Sequence, residues 1–152
     1  MNINEFKQLS AEEAQSLLKA PALITVLIAA ADGKIDPKET AWADKIVGYR
    51  EHVGDEDLYN YYHAVDASFN TQLKTILAEE HVGNPELLAS VSARLAKNST
   101  ILAKLNKHYA DKLFASWKSF AKQIAKADGG FLGFGEIAAQ EEHLMDLHMI
   151  SY

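Results

Sequence analysis

The chain predicts an all-α domain on three observations. Apolar residues recur at helical spacing over most of its length, helix-start signals stand at Ser10, Asp36 and Asn84, and no stretch alternates apolar and polar with period two for long enough to make a strand. With 152 residues, 48% of them hydrophobic and 24% charged, one domain with one sizeable core is expected. The fold class is therefore a compact single-domain helical bundle of about seven to nine helices.

Ser10-Ala11-Glu12-Glu13 is a Ser-x-x-Glu capping box, which starts a short helix running to about Ala20. Pro21 suits the first turn of a new helix, and Leu23, Ile24, Leu27, Ile28 and Ala31 make Pro21 to Asp32 a largely buried one. Asp36, Pro37 and Glu39 take the N-cap, N1 and N3 positions of the next, whose apolar side is Trp42, Ile46, Val47 and Tyr49, up to about His52. Gly54 breaks the chain, and Asp55-Glu56-Asp57 opens a helix with Leu58, Tyr61, Tyr62 and Val65. A separate helix holds Leu73, Ile76 and Leu77 and stops near Gly83, and Asn84-Pro85-Glu86 caps another carrying Leu87, Leu88, Val91 and Leu95. A break is expected around Asn98-Ser99-Thr100. Helical spacing returns from about Ile101 to Ala127, with Leu113, Trp117, Phe120 and Ile124 on one side and Lys118, Lys122 and Lys126 on another; the last helix runs from about Ile137 to Met149.

Composition narrows the function classes. No apolar run reaches the roughly 20 residues of a membrane span, and the N-terminus has no signal-peptide pattern. With no cysteine there is no disulfide, thiolate metal site or cysteine nucleophile, so a cytoplasmic setting is the default expectation. The formal net charge of −6 hides an asymmetry: Arg94 to Lys126 holds eight Lys or Arg against the single acid Asp111, and the remainder holds seven basic residues against twenty acidic. A solvated helix face explains such a run; a docking strip for an acidic partner is the sharper reading. Nucleic acid is not expected, because aromatics and arginines are not interleaved along the strip.

Two Asp-Gly elements, 96 residues apart, stand out. Asp32 and Asp128 each follow an apolar helical run and precede a glycine that would stop it, and the Gly-x-Ile-x-x-x-Glu of Gly33 to Glu39 returns as Gly135 to Glu141. A carboxylate at a helix C-terminus faces the negative end of the dipole, so each needs a compensating partner. Read as a calcium loop, Asp32 to Glu39 matches the second half of an EF-hand, but Ile28 and Ala30 stand where the first ligands belong, so a self-sufficient EF-hand is rejected. Two readings remain open. In one, Gly33 stops a helix and Asp36 with Glu39 caps the next. In the other, the turns lie side by side and pool Asp32, Asp36, Glu39, Asp128 and Glu141 around Ca²⁺, Mg²⁺ or Mn²⁺, with Ala138 at the position of Asp36 costing the second copy an oxygen.

The six histidines form no metal pattern, and no His-Glu-x-x-His, Gly-x-Ser-x-Gly or phosphate-cradling loop is present, so nothing points to catalysis. Tyr59, Tyr61 and Tyr62 read as core and rim packing. Phe131 and Phe134, on a run with four glycines, are expected to pack inward, with a partner-binding tip as the alternative.

In Ala29 to Glu39 and Ala125 to Glu141 the chain resembles the TerB family of tellurite-resistance proteins. The resemblance implies a compact helical fold of two pseudo-symmetric halves, with Asp32, Asp36, Glu39, Asp128 and Glu141 as metal ligands. It further implies a non-enzymatic binding or sensing component of a bacterial stress or tellurite-resistance system, acting through protein partners, with peripheral membrane association in some members. The rival readings are a metal-dependent hydrolase built on the same carboxylates and a structural scaffold whose turns are merely well capped.

Overall fold

The computed structural model describes residues 3–31, 35, 37–81, 83–131 and 144–152, with 127–131 as backbone only. Six α-helices lie among them: α1 (Ala11–Ala29), α2 (Pro37–Val53), α3 (Tyr59–Glu80), α4 (Leu87–Ala96), the single-turn α5 (Asn98–Leu102) and α6 (Lys107–Phe131). No described residue lies in a strand, which agrees with the all-α reading, and the helices are fewer and longer than seven to nine.

The central element is α1. Every residue from Ala20 to Ala31 is buried, and α2, α3, α4, α5 and α6 all pack against this helix. An apolar run without a polar face has only one stable place, the middle of the bundle. Its start is the expected capping box: Glu13 N donates to Ser10 Oγ at 3.1 Å and Ser10 N to Glu13 Oε1 at 2.9 Å.

Pro21 does not begin a second helix; it sits inside α1. A proline there removes the amide that would have bonded the carbonyl four residues back, which is that of Leu17. Tyr61 of α3 fills the vacancy, its hydroxyl donating to Leu17 O at 2.7 Å, and Trp117 of α6 donates its indole N–H to the same hydroxyl at 3.0 Å. The proline is thus tolerated because two neighbouring helices complete the ladder.

The helices expected around Val65 and Leu73 are likewise one. Phe69 supplies the missing step in a buried row of Tyr61, Tyr62, Val65, Phe69, Leu73 and Ile76, so α3 runs 22 residues unbroken. Asp55-Glu56-Asp57 opens it through a 3₁₀ turn at Glu56–Leu58, where Asp57 N donates to Asp55 Oδ1 at 2.9 Å. His81, at φ 47°, and Gly83, at φ 95°, then turn the chain toward α4. Glu86 N donates to Asn84 Oδ1 at 3.0 Å in the turn ahead of it, but the N-cap position is Glu86, which makes no side-chain cap bond, so Asn84 is not the cap expected of it. The interruption expected at Asn98 to Thr100 falls one residue earlier, at Lys97, and those three residues are helical.

Two ends also differ from expectation. α6 does not stop before Gly129; its backbone stays helical to Phe131, placing Asp128 within the helix. Glycine permits a helix end without imposing one. At the C-terminus, helix is confined to Leu144 and Met145 among the described residues, and Leu147 at φ 51° turns the chain, short of Met149. Met145, Leu147 and Ile150 are buried, Ser151 N donates to Ser99 Oγ at 2.9 Å, and the Tyr152 hydroxyl donates to Asp111 Oδ1 at 2.6 Å, so the tail is fastened to α5 and α6. No described helix is long and apolar enough to cross a membrane.

Candidate functional site

Of the five carboxylates assigned to a shared cation, Asp32, Asp36 and Glu141 lie outside the described residues, as does the side chain of Asp128. Phe134 and the Phe131 side chain lie outside them too. The continuation of α6 corrects one premise of the symmetric pair: Asp32 follows a helix that has ended at Ala29, whereas Asp128 lies inside one. Glu39, in the first turn of α2, is 1% exposed. No three His, Asp or Glu side chains converge on a metal position among the described residues.

The basic run resolves into two groups. Arg94 pairs with Glu80 at 2.9 Å and Glu79 at 3.5 Å, Lys104 pairs with Glu13, Lys107 with Asp111 at 3.3 Å, and Lys112 with Asp57 and with Asp55 at 3.2 Å. Much of the charge asymmetry is therefore consumed within the molecule. Lys97, Lys118, Lys122 and Lys126 make no ion pair with a described residue, and Lys118 lies 4.7 Å from the centre of the Phe114 ring.

The groove between α2 and α6 holds an arrangement that the sequence did not announce. Arg50, one of two arginines in the chain, reaches from α2 across to α6. Its Nη1 donates to the Tyr62 hydroxyl at 3.0 Å, Ser116 O at 2.8 Å and Ser116 Oγ at 2.7 Å; its Nη2 donates to Ser119 Oγ at 3.1 Å and Gln123 Oε1 at 2.7 Å. Its guanidinium carbon lies 5.4 Å from the Tyr62 ring centre and 5.6 Å from that of Phe120. Every one of these partners is neutral. Tyr62 and Ser116 also share a hydrogen bond, which holds the inner end of the fork in place.

The register of α6 explains the polar wall: Ser116, Ser119 and Gln123 recur at helical spacing beside the buried row of Leu113, Trp117, Phe120 and Ile124. Around Arg50 the groove encloses about 440 Å³. A second depression of about 380 Å³, lined by Trp42, Lys45 and Ile46, shares Tyr49 and Gln123 with the first. Trp42 is 43% exposed, Tyr49 63% and Val53 57%, although Trp42 is anchored by its indole N–H donating to Gln123 O at 3.1 Å. The carboxylate in the lining is Asp55, which the Asp57 amide and Lys112 hold below its ordinary range.

Between α2 and α3, Glu51 contacts His63 and interacts electrostatically with Asp66. His63 holds Glu51 below its ordinary range, while burial, then Glu51 and Asp44, push Asp66 above 3.8 against the weaker opposing pull of His52. A carboxyl raised on folding contributes its full stability below the unfolded value and loses it as pH rises through the folded one. Asp66→Asn is therefore expected to raise the melting temperature at neutral pH and to change nothing below 3.8, which paired thermal melts across that range would read.

No family model matches the chain, and neither a curated protein nor a solved structure is significantly similar to it. The class is set by its own geometry: an all-α domain with a cationic, aromatic-edged groove between two long helices.

Proposed function

We propose that the protein is a non-enzymatic binding module whose working surface is the α2/α6 groove. One observation supports this above others: Trp42 and Tyr49 are exposed along a groove whose guanidinium meets only neutral acceptors. Trp, Tyr and Arg are the side chains that most often dominate protein interfaces, and a guanidinium at neutral pH neither gives nor takes a proton, which suits recognition more than reaction. Selecting a random peptide library against the folded protein tests the reading. Binders are expected to lose affinity when Trp42 and Tyr49 are both replaced by Ser, with circular dichroism showing that the helical fold is kept. Binders indifferent to that change would refute it.

The TerB-like role, a binding or sensing component of a bacterial stress or tellurite-resistance system, belongs to the same proposal. Its support is the Ala29 to Glu39 element, with α1 ending at Ala29 and α2 opening at Pro37 on either side of the Asp-Gly. The divalent cation goes with it. Its support is the donor set of that element in the sequence: Asp32, Asp36 and Glu39 supply the oxygen ligands that Ca²⁺, Mg²⁺ or Mn²⁺ takes. Added Ca²⁺, Mg²⁺ or Mn²⁺ is expected to raise the melting temperature of chelated wild type and not of Glu39→Gln. Unshifted wild-type melting with all three ions would remove the cation.

A further inference from the structure

We propose that the α2/α6 groove takes an acidic segment of a partner protein, with a carboxylate on the outer edge of Arg50 and an apolar side chain of the same segment against Trp42 and Tyr49. The proposal rests on the partner-binding reading above and names the chemistry of the partner.

Charge carries the first step. Arg50 and Lys45 line the groove, and the one acid in its lining, Asp55, is held by Lys112, whose own charge Asp55 and Asp57 take up. Lys122 and Lys126, on the exposed side of α6 near Gln123, add cations that make no ion pair with a described residue. A guanidinium bonded to neutral oxygens has its donors satisfied and its charge uncompensated, and hydrogen bonds to an ionised acceptor are roughly twice as strong.

The two nitrogens of the fork differ in the way a binding site requires. Nη1 is anchored to the Ser116 carbonyl and the Tyr62 hydroxyl in part-buried bonds. Nη2 meets only the Ser119 hydroxyl and the Gln123 amide oxygen, both in exposed bonds. Those two groups can turn. When a carboxylate takes Nη2, the Ser119 O–H and the Gln123 NH₂ become donors to the same ligand, so the acceptors of the empty groove convert to donors of the filled one.

Shape and stoichiometry select the occupant. The joined depressions follow α2 from Trp42 to Gly54, a rise of about 18 Å, which suits a segment of several residues better than a small metabolite. One guanidinium fork with neutral donors matches a monoanionic carboxylate, whereas a phosphate dianion calls for further cations converging on the same point.

Gln123→Glu is the decisive variant, because it supplies the missing carboxylate from within and leaves Arg50 and its anchors in place. Binders from the library selection would be synthesised and titrated calorimetrically into wild type and variant, each also with phosphoserine replacing the acid and with the acid replaced by its amide. The expected result is that binders carry Asp or Glu beside an apolar residue, that Gln123→Glu weakens them about tenfold or more while its melting temperature holds or rises, that the amide peptide weakens equally, and that salt weakens wild-type binding. Groove binders without an acid, or acidic ones indifferent to Gln123→Glu, would overturn the acidic partner while leaving the binding module standing. Tighter binding of the phosphoserine peptide would overturn the carboxylate. Failure to obtain any binder sensitive to Trp42 and Tyr49 would overturn both readings.

Discussion

Replacing Trp117 with Ala is expected to destabilise the fold by about 3–5 kcal/mol, the usual range for deleting a large buried aromatic. The side chain is fully enclosed on α6, in the row of Leu113, Phe120 and Ile124 that packs toward α1, so its loss opens a cavity where helices meet. It also removes the indole N–H that donates to Tyr61. Chemical denaturation read by fluorescence of the remaining Trp42, or by circular dichroism, would measure the loss. A cost under about 1 kcal/mol would mean that the α1/α3/α6 junction is not the centre of the core.

Tyr61→Phe should be costly for a different reason. The ring stays, but Leu17 O and the Trp117 N–H both lose their partner inside the core, at about 1–3 kcal/mol for each buried group left unpaired. Desolvation already holds the Tyr61 hydroxyl protonated, its ionisation pushed well above 10.0, so it is a donor at any ordinary pH. The link to Pro21 makes this separable. In a Pro21→Ala background, Ala brings back the amide that bonds Leu17 O, and Tyr61→Phe then orphans the indole alone. The double-mutant cycle is expected to show a coupling of about 1 kcal/mol or more; equal costs in the two backgrounds would contradict the proposal that Tyr61 stands in for the missing amide.

That same contact marks the limit of what the sequence could reveal. Asn84 bonds Glu86 in a turn ahead of α4 and does not cap it, whereas the helix start written as a local side-chain-to-backbone exchange, Ser10 with Glu13, was legible, as was the opening of α2 at Pro37. So was the buried face of Leu113, Trp117, Phe120 and Ile124, since it depends only on spacing. Pro21 was misread because the carbonyl it leaves free, that of Leu17, finds its donor 44 positions further on. The joint in α3 was misread because polar Ser68, Asn70 and Thr71 around Phe69 mask one apolar step in a continuous row. The glycines at 129 and 130 were taken for a stop that α6 does not make.

The groove was harder still to foresee. The sequence exposes a charge asymmetry, but Arg94, Lys104 and Lys112 spend theirs on acids from other elements and Lys107 spends its own on Asp111, one turn along α6. Arg50 gave no signal, since its acceptors are two serines, a glutamine and a tyrosine, most of them more than sixty residues away. A polar stripe at Ser116, Ser119 and Gln123 on an otherwise apolar and basic helix was the one trace available, and it means little until α2 is laid beside it.

Titrating ¹⁵N-labelled protein with an acidic binder from the selection, and following amide, indole and guanidinium resonances, tests the central claim most directly. The Trp42 indole, the Arg50 guanidinium and the amides of α2 and of α6 from Lys112 to Lys126 should shift together and saturate with one affinity, while α4 stays unmoved. Shifts confined to other surfaces, or an Arg50 guanidinium that does not respond while the peptide binds, would contradict it.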